Sequence, residues 1–216
     1  MDAMGERESI RAPRGRHAPP LEVRLGVQRR RLFEAAAAVF AREGYAAASA
    51  EAISREAGMS KATFYEHFAN KEECILALFE VAATEVMRQM AEASDSEHAT
   101  YEAHVAASVR AFLQTLAAYP NSAQTLLVEV IGAGPRAMER RDAILQAFAD
   151  ALYRDNNRIA PRYSAPRFAS PDDAFAVVGA IVELASRNLR AGRAQEIVEL
   201  EPVISRVLLG TLKSAG

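Results

Sequence analysis

The chain has 216 residues, of which 50% are hydrophobic and 25% charged, so it can bury a substantial core in one or two compact domains. Its longest uninterrupted apolar run, residues 174–182, is far shorter than the roughly 18 residues that a membrane span needs, and its arginine- and proline-rich start is unlike a signal peptide. We therefore expect a cytoplasmic protein with no membrane partner. The single cysteine, Cys74, excludes an intrachain disulfide and is predicted to be a small core residue.

The formal net charge of −2 is unevenly distributed along the chain. Residues 1–71 hold 12 Lys and Arg against 9 Asp and Glu, a charge of +3, whereas the other 145 residues hold 14 against 19, a charge of −5. This asymmetry favours an N-terminal part that meets phosphate and a remainder that does not. The alternative explanation for this distribution is an arginine-favouring genome with a few scattered lysines.

The first 22 residues carry arginines among prolines and glycine and have almost nothing to bury, so we predict a disordered basic arm. The arm is either an inert leader or a source of additional phosphate or minor-groove contacts. Apolar residues at helical spacing then predict a first helix over residues 23–43, which ends at Gly44. In that helix Arg29, Arg30 and Arg31 either reach the backbone of a duplex or form a solvated surface.

The segment that begins at Ser49 carries the most specific pattern in the chain. Ser49 is a typical helix N-cap, and Gly58 supplies the left-handed residue that ends a short helix. Ser60 caps a second helix, in which Phe64 and Phe68 are four residues apart and therefore face the same side. Two helices joined this tightly cross steeply, as in a helix-turn-helix, and the outward face of the second would enter the DNA major groove.

This segment resembles the N-terminal domain of the tetracycline-repressor (TetR) family of bacterial regulators. The resemblance covers residues 24–80. It rests on Ile53 and Ala57 in the first short helix, the turn Ala57-Gly58-Met59-Ser60, the aromatic run Thr63-Phe64-Tyr65-Glu66-His67-Phe68, and Lys71. It implies an all-α fold with three parts: the arm (residues 1–22), a three-helix DNA-binding head (residues 23–69) and a helical ligand-binding and dimerisation body (residues 70–216).

The resemblance, together with the position of each residue on the second short helix, gives the expected DNA contacts. They are Ser49, Ser60, Lys61, Ala62, Thr63, Tyr65, His67 and Lys71. Ser60, Lys61, Tyr65, His67 and Lys71 are assigned mainly to phosphates, and Thr63 and Tyr65 to base edges. The exposed face of this helix lacks Arg, Asn and Gln, so DNA shape is expected to contribute to specificity.

The body shows helical patterns only. Asn70 and Glu73 form a capping pair for a long helix to about residue 93, which in the family connects head and body. Lys71 lies in its first turn, where the helix dipole disfavours a cation, so we predict that a phosphate docks there. Further helices are predicted over residues 99–119, 122–132, 135–157, 172–191 and 194–213. Pro202 lies inside the last, which predicts a kink or a later start.

The family resemblance further implies a ligand pocket within the body and a dimer formed by the last two helices. The candidate ligand-binding residues are Tyr101, His104, Phe112, Leu116, Leu127, Glu129, Met138, Phe148 and Leu152. The candidate dimer residues are Val177, Val178, Ile181, Leu184, Ile204, Val207 and Leu208. Packing within the protomer's own core explains both sets equally well.

No catalytic or metal-binding pattern is present. The Gly132-x-Gly134 pair lacks a third glycine and a preceding strand, and the four histidines have no metal-ligand spacing with the cysteine. We therefore expect neither an enzyme nor a cofactor. The predicted function is a homodimeric transcriptional repressor that a small apolar effector releases from a palindromic operator. The alternatives are an activator or ligand-independent regulator of the same family, and an all-helical protein-interaction module.

Overall fold

The computed structural model describes residues 21–214, and within this range it contains helices and turns but no strand, so the all-α prediction is confirmed. The predicted basic arm lies outside the described residues, except that residues 21 and 22 already belong to the first helix. No helix in residues 21–214 is long and apolar enough to cross a membrane.

Three helices make up the head and six make up the described body. They are α1 (Leu21–Ala47), α2 (Ala50–Glu56), α3 (Lys61–His67), α4 (Lys71–Ser94), α5 (Tyr101–Ala118), α6 (Pro120–Leu127), α7 (Pro135–Ile159), α8 (Pro171–Arg190) and α9 (Glu201–Ser214). Three short 3₁₀ segments, Glu129–Gly132, Ala160–Tyr163 and Ala194–Leu200, connect the later helices.

The local signals in the head are confirmed. The Ser49 side chain accepts a hydrogen bond from the Ala52 N–H (3.1 Å), and the Asn70 side chain accepts one from the Glu73 N–H (2.9 Å). Gly58 follows α2 with a φ of 64°, the left-handed conformation that ends a helix with little steric cost in glycine. These short-range features fix the start and the end of α2 and the start of α4.

One body helix differs from its predicted bounds, and the last helix has the later start that Pro202 indicated. The predicted helix over residues 122–132 is divided, because α6 starts at Pro120 and stops at Leu127 before a 3₁₀ turn. The last helix starts late, at Glu201, so Pro202 lies in its first turn, where a missing N–H costs no hydrogen bond.

The head packs directly on the body through one continuous apolar core. This core contains Phe40 and Ile53 of the head, Cys74 of α4, and Leu126 and Val130 from α6 and the turn that follows it. Cys74 is fully buried, as predicted. A second core joins α5, α8 and α9, and a smaller cluster joins α7 to α8. Helix α6 therefore lies between the head and the interior of the body.

Candidate nucleic-acid interface and effector cavity

Helix α3 is held against the head by two buried phenylalanines. Phe64 is completely buried and Phe68 is 4% exposed, with their ring centroids 5.5 Å apart. The opposite side of the helix is open, because Lys61, Ala62 and Tyr65 are exposed, Tyr65 by 50%. Glu66, which the sequence-based contact set omitted, is exposed on the same side.

The hydroxyl-bearing candidates are engaged at helix starts. Ser60 Oγ accepts a hydrogen bond from the Thr63 N–H (3.1 Å) and lies 3.0 Å from Thr63 Oγ1. Both side chains therefore order the N-terminal turn of α3, and Thr63 is half-buried rather than fully outward. Ser49 is exposed and caps α2 in the same way.

His67 lies at the flank of α3 against α1. Its Nε2 is 3.4 Å from Gln28 Oε1, and the ring is half-buried. Burial and the positive charge of Arg29 lower the pKa of His67 below its ordinary value. This shift favours the neutral ring, which can offer a phosphate a hydrogen bond.

Lys71 does not have the environment that we predicted. Its Nζ donates to the carbonyl oxygens of Tyr45 (2.8 Å), Ala46 (3.1 Å) and Ala48 (2.9 Å), and it lies 4.5 Å from the centroid of the Tyr45 ring. An ammonium group has three donors, so the carbonyls use all of them. These carbonyls account for a cation at this position without a docked phosphate, because the ammonium stabilises the end of α1. The contact of Lys71 with a phosphate stays a prediction.

Two arginines of α1 also have structural partners. The Arg29 guanidinium lies 5.4 Å from the centroid of Phe33 and 5.2 Å from that of Phe68. Arg31 Nη2 donates to the Ala57 carbonyl (2.9 Å) at the end of α2. Both arginines brace the helix-turn-helix. The i, i+4 spacing of Arg29 and Phe33 is the one sequence signal that indicated such a contact.

The body contains a cavity of about 100 Å³ between α4, α5, α6, α7, α8 and α9, with walls that are mostly apolar. Six of the nine predicted ligand-binding residues line it: Tyr101, His104, Phe112, Leu127, Phe148 and Leu152. Leu116 instead lines a neighbouring groove. Glu129 and Met138 line neither space. Residues 130, 133 and 137, next to them in sequence, belong to the core of the head, so this part of the chain packs away from the cavity.

One end of the cavity is polar. His104 Nε2 lies 2.8 Å from Asp155 Oδ2, and Asp155 Oδ1 accepts hydrogen bonds from Ser94 Oγ and Arg158 Nη2, both at 2.7 Å. Burial raises the pKa of Asp155, but the hydrogen bonds from these three residues outweigh it and lower the pKa to about 2. Asp155 is therefore a fully paired carboxylate at neutral pH.

Asn156, next to that carboxylate, donates from Nδ2 to the Tyr101 hydroxyl at 2.7 Å. Asp155 and Asn156 both line the cavity, and the sequence reasoning missed them. Their positions three and four residues after Leu152 place all three on one side of α7, which is the signal that was available.

Four of the predicted dimer residues belong to the core of the protomer. Val177, Val178, Ile204 and Leu208 are at most 8% exposed, so their side chains are covered almost entirely within the protomer. Their apolar spacing reflects packing within the body. Ile181 and Leu184 are partly buried, and Val207 is 37% exposed. Two further exposed apolar side chains of this region, Phe175 on α8 and Val198 before α9, were not in the predicted set.

The head matches a known family, and the fold of most of the chain matches solved structures. Residues 32–78 match the model of the bacterial regulatory proteins, tetR family. The fatty acid degradation regulator FadR from Bacillus halodurans is 19% identical, over 86% of this chain and 96% of its own, with a TM-score of 0.77. The transcriptional regulator FadR from Bacillus subtilis, in complex with stearoyl-CoA, is 20% identical, over 84% of this chain and 98% of its own, with a TM-score of 0.73.

A third similar structure is SmeT in its complex with triclosan, which is 22% identical, over 84% of this chain and 91% of its own, with a TM-score of 0.64. No curated protein matches the sequence. The predicted resemblance to the TetR family is confirmed by the family model for the head, and the body shares the fold of these regulators.

Proposed function

We propose that this chain, which carries the DNA-binding head and the fold of TetR-family transcriptional regulators, is a cytoplasmic homodimeric repressor that an apolar effector releases from a palindromic operator. The observation that carries the proposal is the open side of α3. Phe64 and Phe68 hold this helix from behind, and neither the head nor the body covers Lys61, Ala62 or Tyr65.

In this proposal the two heads of a dimer enter successive major grooves, about 34–36 Å apart along the duplex. Lys61 binds a phosphate, because it is exposed and, within residues 21–214, has no hydrogen bond or ion pair. Tyr65 and Ala62 face the base edges, and Ser60 and His67 contact the backbone beside them. The absence of Arg, Asn and Gln from the open side leaves much of the specificity to the shape of the DNA.

The dimer is proposed to form through α8 and α9. Phe175, Val198 and Val207 are 39%, 38% and 37% exposed, and they are apolar side chains on or next to these two helices. Ile181 and Leu184 lie partly buried beside them and are proposed to complete the surface. Burial of such side chains against their symmetry mates supplies the free energy of association.

The effector is proposed to be a largely apolar small molecule that occupies the cavity. The cavity walls support this, because aromatic and aliphatic side chains surround a space with one polar end. Stearoyl-CoA and triclosan, bound by the FadR and SmeT structures, both have large apolar parts. We transfer that property to this chain and place long-chain acyl compounds first among the candidates.

Helix α6 provides the connection between the cavity and the head. Leu126 and Leu127 line the cavity, whereas the adjacent Thr125 is fully buried and donates from Oγ1 to the Ala37 carbonyl of α1 (3.1 Å). An effector that displaces α6 must therefore also displace α1. Release from DNA requires that the effector bind more tightly to the displaced conformer than to the one that fits the operator.

Genomic footprinting of the purified protein, followed by gel shifts over a range of salt concentrations, tests this function. Tyr65→Ala should abolish specific binding and leave the dimer intact. Tyr119→Ala, which removes a tyrosine of similar exposure (59% against 50%) from the body, should bind DNA as the wild type does. If Tyr65→Ala still protects the same sites, the assignment of α3 is wrong. If the wild type protects no DNA, the protein-interaction alternative replaces the proposal.

A further inference from the structure

A second apolar space lies between the head and the body. This groove, of about 260 Å³, is bounded by α1 of the head and by α4, α5 and α6 of the body. Its walls include Phe33 and Leu116, which are at least 91% buried. Val81 and Tyr119, at 53% and 59% exposure, are open to solvent at its edge. The groove therefore exposes apolar surface of the kind that binds a ligand or a partner.

The groove and the cavity are neighbours that share their dividing wall. Five side chains line both spaces: Phe79, Phe112, Leu126, Leu127 and Phe148. All five are aromatic or leucine side chains, which change rotamer without breaking a hydrogen bond. A flexible apolar chain in the cavity therefore needs only side-chain rotations to continue into the groove.

Helix α5 gives the length of the combined site. His104 and Phe112 are eight residues apart, which is about 12 Å along a helix at 1.5 Å per residue. Phe112 and Tyr119 are seven residues apart, which adds about 10 Å. An extended alkyl chain advances about 1.2 Å per bond, as an extended polypeptide does. Roughly 10 bonds therefore span the cavity, and roughly 18 bonds reach the far edge of the groove.

An opening with two arginines in its lining lies at the polar end of the cavity. This space of about 280 Å³ between α4 and α7 shares Met90, Ser108, Phe148, Leu152 and Asp155 with the cavity, and Arg154 and Arg158 also line it. Arg158 is already paired with two aspartates. Arg154 is exposed and has no ion pair within the described residues, so it is the cation that remains for an anionic group.

We infer that the effector is an unbranched amphiphile whose anionic end lies at Arg154 and whose tail passes His104, extends about 18 bonds beyond that level, and crosses the shared wall into the groove against the head. This inference rests on the proposed function and adds that chain length controls release. A long tail contacts Phe33 of α1 and wedges between head and body. A chain of about ten bonds binds in the cavity but stops at Phe112, so it leaves the head in place.

Calorimetry with decanoate and octadecanoate tests the tail position. Each methylene that leaves water tightens binding by up to about fourfold, so octadecanoate should bind at least about 100-fold more tightly than decanoate even in a half-open groove. Ala82→Trp, which fills the groove from α4, should reduce that ratio to below about 10-fold and leave decanoate binding unchanged. Ala143→Trp, on the exposed side of α7, is the matched control and should keep the wild-type ratio.

Fluorescence gives a second test that does not depend on the stability of Ala82→Trp. The chain has no tryptophan, so Tyr119→Trp at the exposed edge of the groove provides a single emission signal. Octadecanoate with bromine on its terminal carbon should quench this emission by contact, and octadecanoate with bromine on carbon 2 should not. Ala143→Trp should be quenched by neither compound.

The possible results separate this inference from the proposed function. Two results would overturn the position of the tail: octadecanoate binds but its terminal bromine does not quench Tyr119→Trp, or a folded Ala82→Trp variant keeps the wild-type ratio of octadecanoate to decanoate affinity. Neither result affects operator binding or its release by other apolar compounds. Failure of octadecanoate to bind overturns the inferred effector class. Loss of operator footprints in the wild type would instead contradict the proposed function.

Discussion

Replacing Lys71 with alanine should weaken the folded head and leave its attraction to DNA unchanged. The ammonium group donates to three carbonyl oxygens, of residues 45, 46 and 48, at 2.8–3.1 Å, and it lies 4.5 Å from the Tyr45 ring centroid. A hydrogen bond to a charged group contributes about 1.5–3 kcal/mol, and water replaces part of each bond at this half-buried position. We therefore expect a total loss of about 2–4 kcal/mol.

A urea titration followed by far-ultraviolet circular dichroism measures this loss, and a salt titration of operator affinity measures the charge effect. Lys61→Ala is the matched control, because Lys61 is exposed on α3 and unpaired within residues 21–214. It should change stability by less than about 0.5 kcal/mol. It should also reduce the slope of log affinity against log salt concentration by about one unit for each lost phosphate contact. Lys71→Ala, titrated under conditions in which the variant is folded, should keep the wild-type slope.

The opposite pattern would refute this reasoning. If Lys71→Ala keeps its urea midpoint but loses salt dependence, the ammonium binds phosphate in the complex, and the carbonyl contacts contribute little. If Lys61→Ala keeps the full slope, its assignment to a phosphate is wrong.

Three further predictions concern the body. Thr125→Val removes the buried hydrogen bond to the Ala37 carbonyl and should lower the free energy of unfolding, measured in urea, by about 1–3 kcal/mol. Thr84→Val, at an exposed site, should lower it by less than about 0.5 kcal/mol, and equal losses would contradict the role of the buried bond. The pKa of Asp155 is lowered from 3.8 to about 2, so its stabilising contribution is present above about pH 4 and is lost as the pH falls toward 2. Wild type should therefore lose about 2 kcal/mol more than Asp155→Asn over that range, and parallel curves would show that the carboxylate is not stabilised. Val207→Glu should give a folded monomer in light scattering, and a persistent dimer would place the interface elsewhere.

Short-range patterns made the head predictable. The caps at Ser49, Ser60 and Asn70 and the turn at Gly58 depend on residues at most three positions away, and the structure has all four. The burial of Phe64 and the exposure of Tyr65 follow from the 3.6-residue period alone. The second half of the helix-turn-helix was therefore determined by local physics.

Long-range partners were not predictable in the same way. Lys71 contacts carbonyls 23–26 residues earlier, and a backbone carbonyl leaves no trace in the residue type that carries it. Apolar spacing on α8 and α9 indicated that Val177 and Ile204 are buried, but it does not say whether the same chain or a partner covers them. The 3₁₀ turn after α6 carried Glu129 away from the cavity, because neighbouring residues pack on the head.

Affinity cleavage from α3 tests the central claim most directly. Cys74 is fully buried, and burial raises the pKa of its thiol to about 12, so an iron chelate attached at Ala62→Cys would be the single label. We predict two groups of cuts in the footprinted operator, about one helical turn apart, and no cuts from the same chelate at Ala143→Cys on α7. Uncut DNA with a bound Ala62→Cys protein, or the same cuts from both positions, would contradict the placement of α3 in the major groove.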